Sequence, residues 1–422
     1  MSAIPTSRRG PSAISTLLIP LLACAALLQP APGAARVQGQ GDGATVQRPR
    51  RVGDAPPAAK PAPSTRPTPA ASAGEEVGED EVVRVDTQLV SVPTVVTDRA
   101  GRPLTNLRAD NFVVLEDGSP QKLASFATAD APFEVALLLD TSGSTRADVG
   151  LIKRAAEDFI AALRPGDRVA IVGFSTKEEG DTKLAQVEVM TYLTDDRDAL
   201  RDAVEMVGAS AGTPFYDSLE RVAKDIFRDP PREELRGRRA LVALTDGVDS
   251  TSAADFEAAR ERLKRAGVVC YFVQVNTEEY VEDRIMQSCE AAGGLRLSRT
   301  QLERYRRLYG PRAADYDAND FCQMGQFERM DVSRALYRVA RKEMDALAQD
   351  SGGKTFPVAD LRDARNAFRQ VAQEIGTLYS LGYYSTNKTR DGGFRTIRVQ
   401  LRGIKDAQVR AREGYKAPSS EE

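Results

Sequence analysis

Three short polar segments of the sequence carry the residues that could do chemistry. D-T-S-G-S occupies residues 140–144, G-T-P-F-Y-D occupies residues 212–217, and T-D-G-V-D occupies residues 245–249. Carboxylate and hydroxyl oxygens of this kind suit hard divalent cations such as Mg²⁺, Mn²⁺ or Ca²⁺ rather than zinc or copper. The three segments therefore predict one site for a divalent cation, with Mg²⁺ as the expected ion.

The predicted metal ligands all carry a side-chain oxygen. They are Asp140, Ser142, Ser144, Thr213 and Asp246. Three further residues are expected to surround the ligands without touching the metal, namely Asp249, Gly143 and Gly247. Because most of the ligands are neutral, a bound cation would stay electron-poor and would accept a carboxylate from outside. The site is therefore expected to capture an Asp or Glu side chain of a protein partner, and no catalytic residue is expected.

Apolar segments predict the strands that position these loops. They lie at 135–139, 168–173, 240–244 and 268–275. Amphipathic patterns predict helices at 148–163, 195–207, 214–228, 255–266, 330–348 and 360–379. Apolar strands that alternate with amphipathic helices indicate a parallel sheet covered on both faces. We therefore expect an α/β domain with a doubly wound, mostly parallel sheet over residues 131–379, and such sheets bind ligands at the carboxyl ends of their strands.

Two flanking segments, 81–130 and 380–417, have a different pattern of short β-prone stretches separated by turns. Neither segment has enough strands to be stable alone. We expect them to pair into a second, discontinuous β-sandwich domain, with residues 131–379 inserted between them and residues 418–422 as a tail. Inside the α/β domain the alternation of strands and helices stops at about 277–329, which is expected to be an insertion.

The sequence Gly352-Gly353-Lys354-Thr355 is similar to the end of a phosphate-binding loop. The earlier glycine of that motif is replaced by Ala348, and a helix rather than a strand precedes it. We interpret the segment as a helix end, with Gly352 or Gly353 in the left-handed conformation.

The three polar segments together resemble the metal-ion-dependent adhesion site (MIDAS) of the von Willebrand factor type A (VWA) domain. That site combines a D-x-S-x-S motif, a distant threonine and a later T-D-G, and all three are present here in this order. The similarity extends over roughly residues 133 to 275. It implies the VWA fold, a divalent cation at the ligands named above, and adhesion-type protein binding without enzymatic activity.

The flanking segments carry a second resemblance. V-V-T-D-R-A-G-R-P-L at 95–104, F-V-V-L-E-D-G at 112–118, L-G-Y-Y at 381–384 and R-E-G-Y at 412–415 are similar to the VWFA-related domain family of acidobacteria. This resemblance implies an exported protein.

The N-terminal region also predicts export. Arg8 and Arg9 precede a mostly apolar stretch and then small residues, which favours a signal peptide over residues 1–35. Residues 36–80 are rich in proline and alanine and are expected to be a disordered linker. An alternative is a lipoprotein signal in which Cys24 is lipidated. We expect a periplasmic or extracellular protein whose mature chain has no membrane span but could carry a lipid anchor.

The remaining cysteines have two different expected states. Cys270 lies in an apolar, β-prone segment, so burial is expected. Cys289 and Cys322 could form a disulfide in an oxidising compartment.

Composition excludes several classes of function. The chain of 422 residues contains no histidine, so Ser-His and Cys-His dyads and imidazole metal sites are excluded. The formal net charge of −3 provides no basic surface for nucleic acid.

Three alternatives remain for the polar segments. Asp140 and Ser142 could form only a helix-capping turn, or the metal could brace the loops of a structural envelope scaffold without binding a partner. A Mg²⁺-dependent phosphatase with Asp140 as nucleophile is the enzymatic alternative. It lacks the second aspartate expected where Ser142 stands.

Overall fold

The fold was examined in a computed structural model. It describes residues 89–128, 131–142, 145, 148–179, 182–229, 238–287 and 324–419. Several predictions concern residues outside these ranges, namely the signal peptide 1–35, the linker 36–80, Cys24, Gly143, Ser144, Cys289 and Cys322.

The strands, in chain order, are β1 (Leu89–Asp98), β2 (Phe112–Glu116), β3 (Ser119–Gln121), β4 (Leu123–Ala127), β5 (Glu134–Leu139), β6 (Arg168–Glu179), β7 (Thr182–Thr194), β8 (Arg239–Thr245), β9 (Val268–Val275), β10 (Lys354–Val358), β11 (Tyr379–Tyr384), β12 (Phe394–Leu401), β13 (Ala407–Ala411) and β14 (Gly414–Lys416). The helices are α1 (Val149–Ala162), α2 (Arg197–Met206), α3 (Phe215–Arg221), α4 (Phe256–Arg265), α5 (Glu278–Gln287), α6 (Gln326–Ser351) and α7 (Ala364–Thr377).

In the part of the chain that is described, six strands form the central sheet in the order β10-β9-β8-β5-β6-β7. All neighbouring pairs are parallel except β6 and β7, which form an antiparallel hairpin. The expectation of an α/β domain with a mostly parallel sheet is confirmed. Strands β7 and β10 had not been predicted. β7 lies at the sheet edge, where alternating polar and apolar residues replace the continuous apolar pattern of the buried strands.

Helices cover both faces of this sheet. Successive residues of β5 contact opposite faces, so Leu137 packs in the core with α1 and α7, whereas Leu138 packs in the core with α3, α4 and α6. Because both faces are covered, every residue of β5 is buried. This burial explains why β5 and β8 are apolar between their first residues, Glu134 and Arg239, which form a buried ion pair, and the polar residues at their carboxyl ends.

Regular structure extends into both ends of the region expected to be an insertion. Helix α5 lies within the first residues of 277–329, and α6 begins three residues before its end. Both helices therefore flank residues 288–323, which lie outside the described ranges.

The two flanking segments form two four-stranded antiparallel sheets with the strand orders β13-β1-β11-β4 and β14-β12-β2-β3. Their inward side chains share one core, to which Val92 and Leu381 contribute from the first sheet and Val114 and Ile397 from the second. The second, discontinuous sheet domain expected from the sequence is confirmed. Strand β1 lies between β11 and β13, so N-terminal and C-terminal residues complete the same sheet.

Arg238 and Gly352 connect the two domains. Arg238 is 1% exposed and donates hydrogen bonds to the carbonyls of Thr128, Ile375 and Leu378, which lie where the chain passes between the domains. Gly352 ends α6 in the left-handed conformation, as the sequence predicted. A Cβ at Gly352 would lie 2.9 Å from the backbone nitrogen of Arg412, so only glycine lets α6 approach the sandwich this closely.

Two further observations concern the described residues. Cys270 is buried in β9, as expected, and burial raises the pKa of its thiol to about 12. No helix in the described ranges is both long and apolar enough to cross a membrane.

Deleting the chain from residue 379 onward should unfold the N-terminal strands. The deletion removes both neighbours of β1 (β11 and β13) and the neighbour β12 of β2. We expect amide hydrogen exchange, measured by mass spectrometry, to lose its protection in β1 and β2 relative to the full chain. Unchanged protection of β1 would show that the sandwich does not depend on its C-terminal half.

Candidate metal site

Asp140 follows the last residue of β5 and begins the first loop of the candidate site. Its side chain is fully buried. Its Oδ1 accepts a hydrogen bond from the backbone N–H of Ser142 at 3.0 Å, and its Oδ2 accepts one from the hydroxyl of Thr245 at 2.6 Å. Thr245 is the last residue of β8, which pairs with β5, so the sheet itself fixes the orientation of the carboxylate.

The turn after Asp140 buries a hydroxyl that has no partner. Thr145 closes the turn, because its N–H donates to the carbonyl of Ser142 and its hydroxyl donates to the carbonyl of Asp140, both at 3.0 Å. Ser142 is 1% exposed, and its Oγ lies near the Asp140 carboxylate without forming a well-aligned hydrogen bond to any residue that the structure describes. A buried hydroxyl without a partner costs about 1–3 kcal/mol, a penalty that an additional partner at Ser142 would remove.

Asp246 lies in the second loop, directly after β8, and is 3% exposed. Its Oδ1 accepts from the N–H of Val248 at 3.0 Å, and its Oδ2 accepts from the hydroxyl of Thr277 at 2.6 Å. The next residue, Gly247, has φ +76°, and a Cβ there would lie 2.5 Å from Cε of Met344 in α6. The positive φ therefore favours glycine at 247, and the absence of a Cβ leaves room for the side chain of Met344.

Thr213 lies in the third loop and is held against the second. Its N–H donates to Oγ of Ser250 at 2.9 Å, and its carbonyl accepts from the N–H of Ser250 at 3.0 Å. Asp249 strengthens this contact, since its Oδ2 accepts from the N–H of Tyr216 at 3.0 Å and its Oδ1 from the N–H of Ser252 at 3.1 Å. Asp249 therefore holds the start of α3, and with it Thr213, beside the second loop.

The first and third loops are also joined directly. The carbonyl of Thr141 accepts from the N–H of Ser210 at 3.0 Å, and the hydroxyl of Thr141 donates to the carbonyl of Gly208. Asp140, Ser142, Thr213 and Asp246 therefore belong to one hydrogen-bonded set of loops at the carboxyl ends of β5 and β8. Gly143 and Ser144 lie outside the described residues.

Burial, together with the nearby charge of Asp246, raises the pKa of the Asp140 carboxyl from 3.8 to about 7. The hydroxyl of Thr245 opposes this shift by stabilising the ionised form. Asp140 has no ion-pair partner among the described residues. A divalent cation would offset the electrostatic repulsion between these two buried carboxylates.

The donor chemistry therefore fits a hard divalent cation. The described residues contain no group of three or more acidic or cysteine side chains that could hold a metal. The site instead has two carboxylates surrounded by neutral hydroxyls, and the unpartnered Ser142 hydroxyl lies beside one of them. Such a donor set suits a small ion that keeps water or accepts an external ligand.

Sequence reasoning missed several residues that contact this site through hydrogen bonds, among them Thr245, Ser250, Thr277 and Tyr337. Thr277 donates to Asp246, and its oxygen lies 2.7 Å from the hydroxyl of Tyr337 in α6. Thr277 follows β9 by two residues, so the rule that drew attention to the ends of β5 and β8 would have found it at the end of β9. Tyr337 had no such signal, because the helical pattern of α6 shows only that it is buried.

Comparison with known families identifies the region that contains this site. Residues 134–295 match the von Willebrand factor type A domain. Among curated proteins, none matches the chain.

Solved structures with similar folds include three from different organisms. The conserved hypothetical protein BatB from Bacteroides thetaiotaomicron is 16% identical, with 58% of this chain and 98% of that chain covered and a TM-score of 0.32. A von Willebrand factor type A protein from Catenulispora acidiphila is 13% identical, with coverages of 80% and 75% and a TM-score of 0.37. Proximal thread matrix protein 1 from the mussel byssus is 14% identical, with coverages of 70% and 50% and a TM-score of 0.37.

Stability of the metal-free protein should fall as Asp140 ionises. Its folded-state pKa of about 7 exceeds the ordinary value of 3.8, so between these values the folded chain keeps a proton that the unfolded chain has released. The free energy of unfolding therefore falls as pH rises through this window. We expect the denaturant midpoint in EDTA to fall more steeply with pH for the wild type than for Asp140→Asn. Equal slopes would contradict the assignment of this titration to Asp140.

Proposed function

We propose that the von Willebrand factor type A domain of this chain is a non-catalytic binding module that captures an Asp or Glu side chain of a partner protein through a divalent cation. The ligands would be Asp140, Ser142, Thr213 and Asp246, together with Ser144. The cation, Mg²⁺ by its preference for few carboxylates and retained water, would supply a positive centre with a position open to an external carboxylate.

The observation that carries this proposal is the buried Ser142 hydroxyl without a partner, next to the buried and unpaired carboxylate of Asp140. A capping turn would use the Ser142 hydroxyl on a backbone N–H and would leave Asp140 exposed to water. Here the turn is closed by Thr145 instead, and the Ser142 oxygen is left for another ligand.

The chain's own residues would orient the cation and keep the site ready. Thr245 and Thr277 hold the two carboxylates, while Asp249 and Ser250 hold Thr213 beside them. Because these contacts exist without a partner, little rearrangement would accompany capture of a carboxylate. Export to the periplasm or the cell exterior, through the N-terminal signal described above, belongs to the same proposal.

The competing function is a structural scaffold in which the cation only braces the three loops. Both functions require the metal, and they differ in whether an external carboxylate completes its coordination. No observation in the described residues favours the phosphatase alternative, since no acidic side chain stands at 142 to act as the acid.

Ser142→Ala should separate metal binding from folding. Because the buried Ser142 hydroxyl has no partner, we expect its removal to leave the metal-free protein at least as stable, with a gain of up to about 1–3 kcal/mol. The same change should weaken binding of Mg²⁺, measured by calorimetry and by the rise in Tm with added Mg²⁺. Ser91→Ala is the matched control, because Ser91 in β1 also has a buried hydroxyl without a partner but lies in the sandwich. Unchanged Mg²⁺ affinity in Ser142→Ala would remove Ser142 from the ligand set, and the wild type failing to bind any divalent cation would overturn the proposal.

Selection from a displayed library of random peptides should distinguish capture from bracing. We expect the immobilised full chain with Mg²⁺ to enrich peptides that contain Asp or Glu. Binding of the enriched peptides should be lost in EDTA and after Asp→Asn or Glu→Gln changes in the peptide. Ser142→Ala serves as the metal-site control because its fold is expected to be intact. Metal binding without enrichment of acidic peptides would favour the scaffold.

A further inference from the structure

The hydroxyl groups of Thr277 and Tyr337 form a series of hydrogen bonds that leads from Asp246 into helix α6. The hydroxyl of Thr277 donates to Oδ2 of Asp246 at 2.6 Å, and Oγ1 of Thr277 lies 2.7 Å from the hydroxyl oxygen of Tyr337. Thr277 is 6% exposed and Tyr337 is 2% exposed. The hydrogen bonds are therefore made where competition from water is weak.

The direction of these two hydrogen bonds follows from the number of protons that each hydroxyl carries. A threonine hydroxyl has a single proton, and Thr277 donates it to Asp246. Thr277 can then only accept from Tyr337, so the protons point from Tyr337 through Thr277 to the Asp246 carboxylate. Burial raises the pKa of the Tyr337 phenol further above its ordinary value, which keeps the phenol protonated as the donor. Each donor in such a series polarises the next.

Asp246 and Asp140 are held in the same manner by residues from different parts of the chain. In each case Oδ1 accepts from the backbone N–H two residues later and Oδ2 accepts from a threonine hydroxyl at 2.6 Å. The threonine that holds Asp140 belongs to β8, whereas Thr277 lies beyond β9. A carboxylate that is fixed at both oxygens presents its remaining lone pairs in one orientation.

Helix α6 is itself fixed against the loops of the site. Met344 occupies the space beside Gly247, and Glu343 accepts a hydrogen bond from the hydroxyl of Tyr216 at 2.6 Å. Tyr337 lies two turns earlier on the same helix. Its position is therefore set by contacts with both the second and the third loop.

We infer that Thr277 is a positioning residue for Asp246 and that Tyr337 supports it, so that α6 contributes to cation affinity without supplying a ligand. This inference rests on the proposed function, because it assigns the role with respect to the cation. It adds a fourth loop, at the end of β9, to the three loops that carry the ligands. Residues of this kind typically change metal affinity by about 10–100-fold when they are replaced.

The test is the affinity of the full-length chain for Mg²⁺ and Mn²⁺ alone, measured by calorimetry well below the Tm of each variant. We expect Thr277→Val to weaken binding by about 10-fold or more, because it removes the donor to Asp246. Thr277→Ser should bind like the wild type, because it keeps the hydroxyl. Tyr337→Phe should cause a smaller loss, because it leaves Thr277 in place but removes the group that polarises it.

Two control variants remove hydroxyls of the same kind elsewhere. Thr355→Val in β10 and Tyr271→Phe in β9 each delete a buried hydroxyl that lies outside the loops of the candidate site. Neither should change cation affinity. If Thr277→Val does not fold, Tyr337→Phe and Thr277→Ser still decide the question.

The outcomes separate this inference from the proposed function. A wild type that binds neither ion overturns both. A wild type that binds, with Thr277→Val and Tyr337→Phe binding equally well, overturns only the positioning role. Equal losses in Thr277→Ser and Thr277→Val would also overturn it, because the hydroxyl would then not be the group responsible.

Discussion

Two buried carboxylates at one edge of a parallel sheet are the constraint on which this structure depends. Asp140 and Asp246 each follow an apolar strand, and both are removed from water. Burial and the nearby charge of Asp246 disfavour the ionised form of Asp140, as its raised pKa reflects. Other apolar strands of the sheet end without such a cost. The chain accepts this cost at the position where a divalent cation would offset it.

Around Asp140, the described loops reduce that cost with neutral donors, and no arginine or lysine among the described residues forms an ion pair with this carboxylate. Each carboxylate accepts one backbone N–H and one threonine hydroxyl. A basic side chain paired with Asp140 would neutralise it and would compete with a cation for the same oxygens. Neutral donors orient the oxygens and leave the negative charge available. The arrangement therefore favours a cation ligand over an internal ion pair.

The sandwich and the α/β domain share more than a covalent link. The guanidinium of Arg238 donates hydrogen bonds to four carbonyls, those of Thr128, Ala131, Ile375 and Leu378, where the chain passes between the domains, and the end of α6 contacts the sandwich at Gly352. Helix α6 also contacts the metal-site loops through Met344 and Tyr337. One helix thus touches both the candidate site and the second domain, and its position is fixed at several points along its length.

The sequence by itself determined the elements whose patterns are local. Apolar strands such as β5 and β8, the amphipathic helices, the helix end at Gly352 and the polar residues at strand ends could be predicted, because burial on two faces and turn chemistry leave direct marks on neighbouring residues. Edge strand β7 escaped prediction because it is only partly buried. The tertiary structure alone decided that Ser142 is left without a partner, that Asp249 and Ser250 hold Thr213, and that Tyr337 reaches Asp246 through Thr277. These contacts join residues 31 to 60 positions apart, and no local periodicity records which distant side chains will meet.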